Sequence, residues 1–80
     1  MEGMDMEMGL DRVRPGCKAI VTGLRTGPAL AGRLAALGFV PGTAVECRYR
    51  SPEGRVTAVE FRGTVIAMRT ADLKCIRVRC

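Results

Sequence analysis

The chain has 80 residues, 48% of them hydrophobic and 26% charged, with no histidine and a formal net charge of +5. This length fits one small domain with a single core, and no apolar run approaches the roughly 20 residues that a bilayer-spanning helix needs. Catalytic or metal centres built on histidine are excluded. Glu2, Asp5, Glu7 and Asp11 place half of the acids in the first eleven residues, which carry no base, so the remainder stands at +9. Such a body is drawn to acidic surfaces, whether a protein face, an anionic leaflet or nucleic acid.

Residues 1–9, MEGMDMEMG, alternate methionine with acid and show neither helical nor strand support. They are expected to form a flexible, acidic, Met-rich tail, with the folded domain over 10–80. Met4, Met6 and Met8 offer thioethers for copper(I), but the intervening carboxylates prefer harder ions, and the mixture makes no selective site. A positive start followed by an apolar segment is missing, so no secretory signal is read and the expected location is the cytoplasm. Cys17, Cys47, Cys75 and Cys80 are then reduced thiols. They contain no CxxC pair of the kind that zinc modules use, and are expected as small half-buried strand residues and a terminal thiol.

Arg14-Pro15-Gly16 forms a turn before a first strand, Cys17 to about Leu24, with Cys17, Ala19 and Val21 on one face. Next comes LAGRLAALGFVPG, Leu30 to Gly42, which carries Leu30, Leu34 and Leu37 at i, i+4 and i+7. That spacing predicts one short helix with a leucine stripe, started by Gly27-Pro28 and stopped by Gly38. A helix of about ten residues is marginal alone in water, so the stripe is expected to plug or flank the end of a sheet. Gly32 within it costs about 1 kcal/mol against alanine, and a closely approaching strand is expected there. Arg33 is the helix's only charge. It could pair with a carboxylate, lie along the rim or face a partner.

Phe39-Val40-Pro41-Gly42 turns into a second strand, Thr43 to Arg50, where Val45, Cys47 and Tyr49 alternate with Glu46, Arg48 and Arg50. After the turn Ser51-Pro52-Glu53-Gly54, Thr57, Val59 and Phe61 continue the apolar face. A tight Arg62-Gly63 loop then sets Phe61 opposite Thr64, Val59 opposite Ile66 and Thr57 opposite Met68. Thr70 to Lys74 fits one helical turn with Leu73 inward, and the last strand alternates Ile76 and Val78 with Arg77 and Arg79. Five short strands with one apolar face each, and one short helix after the first strand, predict a mainly β fold closed into a small barrel.

With those elements placed, the sequence resembles the FeoA family, the small cytosolic partners of bacterial ferrous-iron transport. The resemblance rests on Gly16 with Ala19 and Val21, Arg33-Leu34 with Leu37-Gly38-Phe39, and Pro41-Gly42 with Val45. It continues through Ser51-Pro52 and Gly63 with Ile66-Ala67-Met68-Arg69, closes on Ile76 and Val78, and covers residues 10–79. Two places depart from the family's pattern. Asp72 is followed by Leu73 instead of a small alanine, and the turn after the second strand runs Pro52-Glu53-Gly54-Arg55 instead of glycine-aspartate-proline. The resemblance implies an SH3-like barrel. It also implies docking on FeoB, a membrane transporter with a cytosolic GTP-binding domain, which would recruit the chain to the inner membrane.

Chemistry of its own is not visible. Ser51 is the only serine and lies in a turn without a recognisable base, the acids beyond the tail are scattered one per element, and no phosphate-binding loop occurs. No enzyme activity, cofactor or metal is expected, and the chain is read as a protein-interaction module. Its candidate partner-binding residues are Arg33, Phe39, Arg48, Arg50, Arg77 and Arg79. The alternative is a basic barrel that binds single-stranded nucleic acid, for which Arg48, Arg50, Arg77 and Arg79 supply charge. Against it, only Phe39, Tyr49 and Phe61 could stack on bases, and Tyr49 and Phe61 fall in the inward phase. A free-standing repressor is excluded because no helix-turn-helix precedes the barrel.

Overall fold

The computed structural model describes residues 6–80. Strand β1 (Glu7–Gly9) runs into a 3₁₀ turn at Leu10–Arg12. There follow β2 (Lys18–Leu24), α1 (Pro28–Leu37), β3 (Ala44–Arg50), β4 (Val56–Phe61), β5 (Thr64–Arg69), α2 (Thr70–Leu73) and β6 (Ile76–Arg79). All six strands form one antiparallel sheet in the order β1-β6-β2-β3-β4-β5.

This corrects the expected five-stranded closed barrel with one helix. The sheet has six strands and two helices, and its edge strands β1 and β5 do not pair. The additional strand comes from the expected tail. β6 offers a free edge, and Met8 aligns with Val78 there while Glu7 aligns with Arg79. Three residues are too few for alternation to show in a sequence. Residues 1–5 of that tail, including Met4, lie outside the described residues. Met8 packs against the core. Between the two edges, α2 touches both β5 and the 3₁₀ turn, and the fully buried Leu10 and Leu73 fill the interior on that side.

Val13, Val21, Val45, Val59, Ile76 and Val78 line the interior, with Phe39 and Phe61 stacked at a tilt, ring centroids 4.4 Å apart. The β4–β5 register agrees with the reading of the hairpin: Phe61 opposes Thr64, Val59 opposes Ile66 and Thr57 opposes Met68. Arg62 and Gly63 adopt φ of 54° and 77°, the left-handed pair of a type I′ loop.

Helix α1 departs from the leucine-stripe expectation. Leu34 is 2% exposed and Leu30 half-buried, but Leu37 is 50% exposed, so the stripe does not plug the sheet. The reason lies at the helix end. Gly38 N–H donates to Ala35 O at 3.0 Å and Phe39 N–H donates to Leu34 O at 3.0 Å, a Schellman-type stop. The chain therefore folds back at once, and Phe39 takes the core position beneath Leu34. Gly38 has φ 122°, and a Cβ there would stand 2.8 Å from Phe61 Cε2, so both conformation and space demand glycine. Gly32, by contrast, is exposed with open space around it, and no strand approaches it.

Strand β3 carries a second correction. Cys47 pairs with Val59, but Tyr49 pairs with Ala58 and Arg50 with Thr57, which marks a bulge between Cys47 and Tyr49. The extra residue inverts the alternation. Tyr49 turns outward, 55% exposed, and Arg50 turns inward. Its Nε donates to Oγ1 of the buried Thr57 at 3.0 Å and its Nη2 to Val13 O at 3.0 Å, while Thr57 Oγ1 and Thr70 Oγ1 are 2.7 Å apart. Arg50 thus ties β3 and β4 to the segments that lead into β2 and α2.

Candidate docking surface

The six residues expected to meet a partner do not form one surface. Phe39 is core, and burial in the interior removes it from contact with any partner. The guanidinium of Arg50 is consumed by the internal bonds just described. Arg48 is exposed on the outer sheet face, but its Nη1 donates to Glu60 Oε1 at 2.6 Å, so its charge is locally offset. Arg79 is exposed at the outer-face row that runs from Glu7 across β6 to Ile20. Arg33 projects from α1 into solvent with no ion pair among the described residues.

Arg77 has a built surrounding. In the sheet it lies between Gly9 of β1 and Gly23 of β2, which leave room for its side chain across both neighbours. A Cβ at Gly9 would collide with Asp11 Oδ1 and stand 3.0 Å from Lys74 O and 3.3 Å from Arg77 Nη1. Arg77 Nη1 donates to Lys74 O at 3.4 Å. Arg77 Nε and Asp11 Oδ1 are both shielded from solvent without a hydrogen-bond partner among the described residues. The arginine is fixed where the α2–β6 turn meets β1.

Around it opens a cleft of about 410 Å³ between the β2–α1 loop and the α2–β6 turn, where Arg25, Lys74 and Arg77 surround Leu30 and Cys75. Asp72 is its one acid. Leu30 belongs to the flank of α1 on which Arg33 and Leu37 lie at i+3 and i+7, so the cleft continues into a half-apolar helix flank. Only Leu34 of this largely apolar helix is fully buried, which leaves Leu37 and the neighbouring alanines in water. The arrangement can bind, but it has no reactive group. Burial pushes the Cys75 thiol up, and its Sγ donates to Asp72 O at 3.1 Å; burial likewise raises the Cys47 thiol, and both stay neutral. The Glu7 carboxyl is held below its ordinary range, first by the Thr22 hydroxyl at 2.5 Å and then by the guanidinium of Arg25, 3.8 Å away. Among the described residues no three cysteine or carboxylate groups come together to hold a metal ion.

Sequence reasoning had missed Arg25 and Lys74, because both sit in connections where no periodicity marks a face. The signal that could have found the cleft is the pair of glycines that β6 meets on either side of Arg77.

A small, mainly β domain of SH3-like fold is the class that these elements define. Within that class, the FeoA domain model matches residues 8–80, and the chain belongs to the FeoA family of small accessory proteins of ferrous-iron transport. The FeoA protein of Chlorobium tepidum is 30% identical with a TM-score of 0.81, over 90% of this chain and 69% of that one. A FeoA-like protein from Clostridium acetobutylicum is 26% identical with a TM-score of 0.82, over 90% and 84%. The FeoA of Stenotrophomonas maltophilia, solved in complex with zinc and described as an SH3-domain protein and a candidate ferrous-iron-transport activating factor, is 29% identical. Its TM-score is 0.78 over 89% of this chain and 88% of that one. No curated protein matches the chain significantly. Among the described residues no helix is long and apolar enough to cross a membrane.

Proposed function

We propose that this chain is a cytoplasmic accessory protein that docks on the cytosolic part of a FeoB-type GTP-binding transporter and so modulates ferrous-iron uptake, recruited to the inner membrane by that partner. The observation that carries the proposal is the surface formed by Leu30, Arg33 and Leu37 of α1 together with Arg25, Lys74 and Arg77 of the cleft, on a chain of the FeoA family. Leu30 and Leu37 supply apolar area whose burial is worth about 25 cal/mol per Å² before the costs of association. The cations steer it toward an acidic protein face and set orientation more than affinity. The docked protein shifts its partner only by binding one of the partner's states better than another.

Pull-down with the full-length transporter, loaded in turn with GTP and GDP, tests the proposal. Binding in at least one nucleotide state, weakened by salt, supports it; absence of binding at micromolar concentrations in both states overturns it. The nucleic-acid reading gains one feature from the β3 bulge, since Tyr49 is exposed beside Arg48. One aromatic does not make a platform for successive bases, and Phe39 and Phe61 are committed to the core.

A further inference from the structure

At the far end of the sheet from the cleft, β5 has no strand beyond it among the described residues. Residues along an antiparallel strand direct their N–H and C=O groups alternately to the two sides. Thr64 faces β4 across the Arg62-Gly63 loop, and Thr70 N–H donates to Arg55 O at 2.8 Å, so Ile66 and Met68, in the same series, also face β4. The N–H and C=O groups of Val65 and Ala67 are therefore turned outward along the open edge, together with the N–H of Arg69, whose C=O, at the N-cap, starts α2. Between Thr64 and Met68 this edge has no charge, proline or bulge, the features that usually block pairing. Beside it the outer face is apolar apart from Glu60, which lies opposite Val65 and is paired with Arg48. Val65 is 57% exposed, and Ala67, Ala58 and Tyr49 follow one another across β5, β4 and β3.

Cations stand at both ends of this apolar edge. Arg62 occupies the loop at one end, and Arg69 occupies the other, where it lines a recess together with Arg55 and one acid, Asp11, so two cations outnumber one carboxylate there. A second copy of this edge, Thr64–Arg69, would bring no carboxylate to these cations, whereas an acidic-ended strand does.

We infer that the β5 edge is a strand-addition site for an extended peptide segment whose alternating apolar residues are bracketed by acidic residues. The incoming backbone bonds to Val65, Ala67 and Arg69, its outer-face side chains lie over Val65 and Ala67, and its terminal carboxylates meet Arg62 at one end and Arg55 with Arg69 at the other. This site adjoins the cleft only at Ala71, which lines both, and does not depend on the docking proposed above.

The test is a titration of the ¹⁵N-labelled full chain with the acetylated, amidated peptide Glu-Thr-Val-Thr-Val-Thr-Glu, whose valines and glutamates share one face, beside a control with lysine at both ends. Expected are saturable shifts and slowed hydrogen exchange at the amides of Val65, Ala67 and Arg69, with the acidic peptide bound at least about tenfold tighter than the control. The double variant Arg62→Asp/Arg69→Glu, with aspartate chosen because it tolerates the left-handed φ at 62, should reverse that preference. Ala67→Pro removes an outward N–H without touching the β4 ladder, and should abolish binding while the melting temperature is kept. Equal affinity for the two peptides, saturable shifts confined to other residues, or no saturation would each overturn the inference. So would β5 shifts that follow protein concentration alone, which would assign the edge to a second copy.

Discussion

Leu34 and Leu37 are the same residue type three positions apart on one helix, and the structure uses them in opposite ways. Leu34 is 2% exposed above Phe39, whereas Leu37 is 50% exposed beside Arg33. The difference originates at Gly38. A stop immediately after Leu37 lets Phe39 fold under the helix and fill the space that a continuing stripe would have taken. One side of α1 thus fastens it to the core, and the other leaves apolar surface in water beside the cations of the cleft. In the docking proposed above, stability and binding fall on different sides of α1, so substitutions should separate them.

The largest effect is expected at Leu34. Leu34→Asp buries an unpaired charge in a domain with only a few kcal/mol to spare, and circular dichroism should show an unfolded chain. Leu34→Ala should cost about 2–4 kcal/mol in urea denaturation, while Leu37→Ala should stay within about 0.5 kcal/mol of the parent. Equal costs at the two positions would dissolve the comparison.

Arg48 and Arg50 extend the same contrast to the sheet. Arg50→Ala leaves Val13 O and the Thr57 hydroxyl each with one partner fewer, and should lower stability by about 2 kcal/mol. Arg48→Ala removes one exposed ion pair with Glu60 and should cost less than about 1 kcal/mol. Thermal melts of the two variants would rank them, and the reverse order would argue against the inward turn of Arg50.

The smallest effect is expected at β1. Because the folded Glu7 carboxyl titrates below its ordinary range, the folded chain holds fewer protons there than the unfolded chain. Its contact with Thr22 therefore contributes above the ordinary carboxylate pKa and is lost as pH falls through the lowered folded value. The protection of the Met8 amide, its exchange rate compared with the intrinsic rate at the same pH, should fall on acidification, and Thr22→Val should move that fall to higher pH.

The hairpin of β4 and β5 was fully legible, because a two-residue loop with glycine at its second position fixes the register of both strands at once. The helix was legible in extent but not in burial, since periodicity names a stripe without revealing that Phe39 would displace Leu37 from the core. β1 is too short to show a period, and its partner β6 lies at the other end of the sequence. The bulge in β3 leaves no mark in an alternation that reads evenly through Tyr49. These two local irregularities account for the fate of the candidate site. The bulge sends Arg50 inward, and the added strand β1 joins Gly9 to Gly23 in framing Arg77, so four arginines that looked equivalent in the sequence became one structural clamp, one ion pair, one cleft residue and, at Arg79, one exposed residue opposite Glu7.

The central claim is that the exposed flank of α1 serves a partner and contributes little to the fold. The direct measurement is the affinity of Arg33→Glu/Leu37→Glu for the cytosolic part of the FeoB-type transporter, made alongside a thermal melt. The account predicts a melting temperature close to the parent's with affinity reduced by about tenfold or more. Unchanged affinity in a fully folded variant would contradict it.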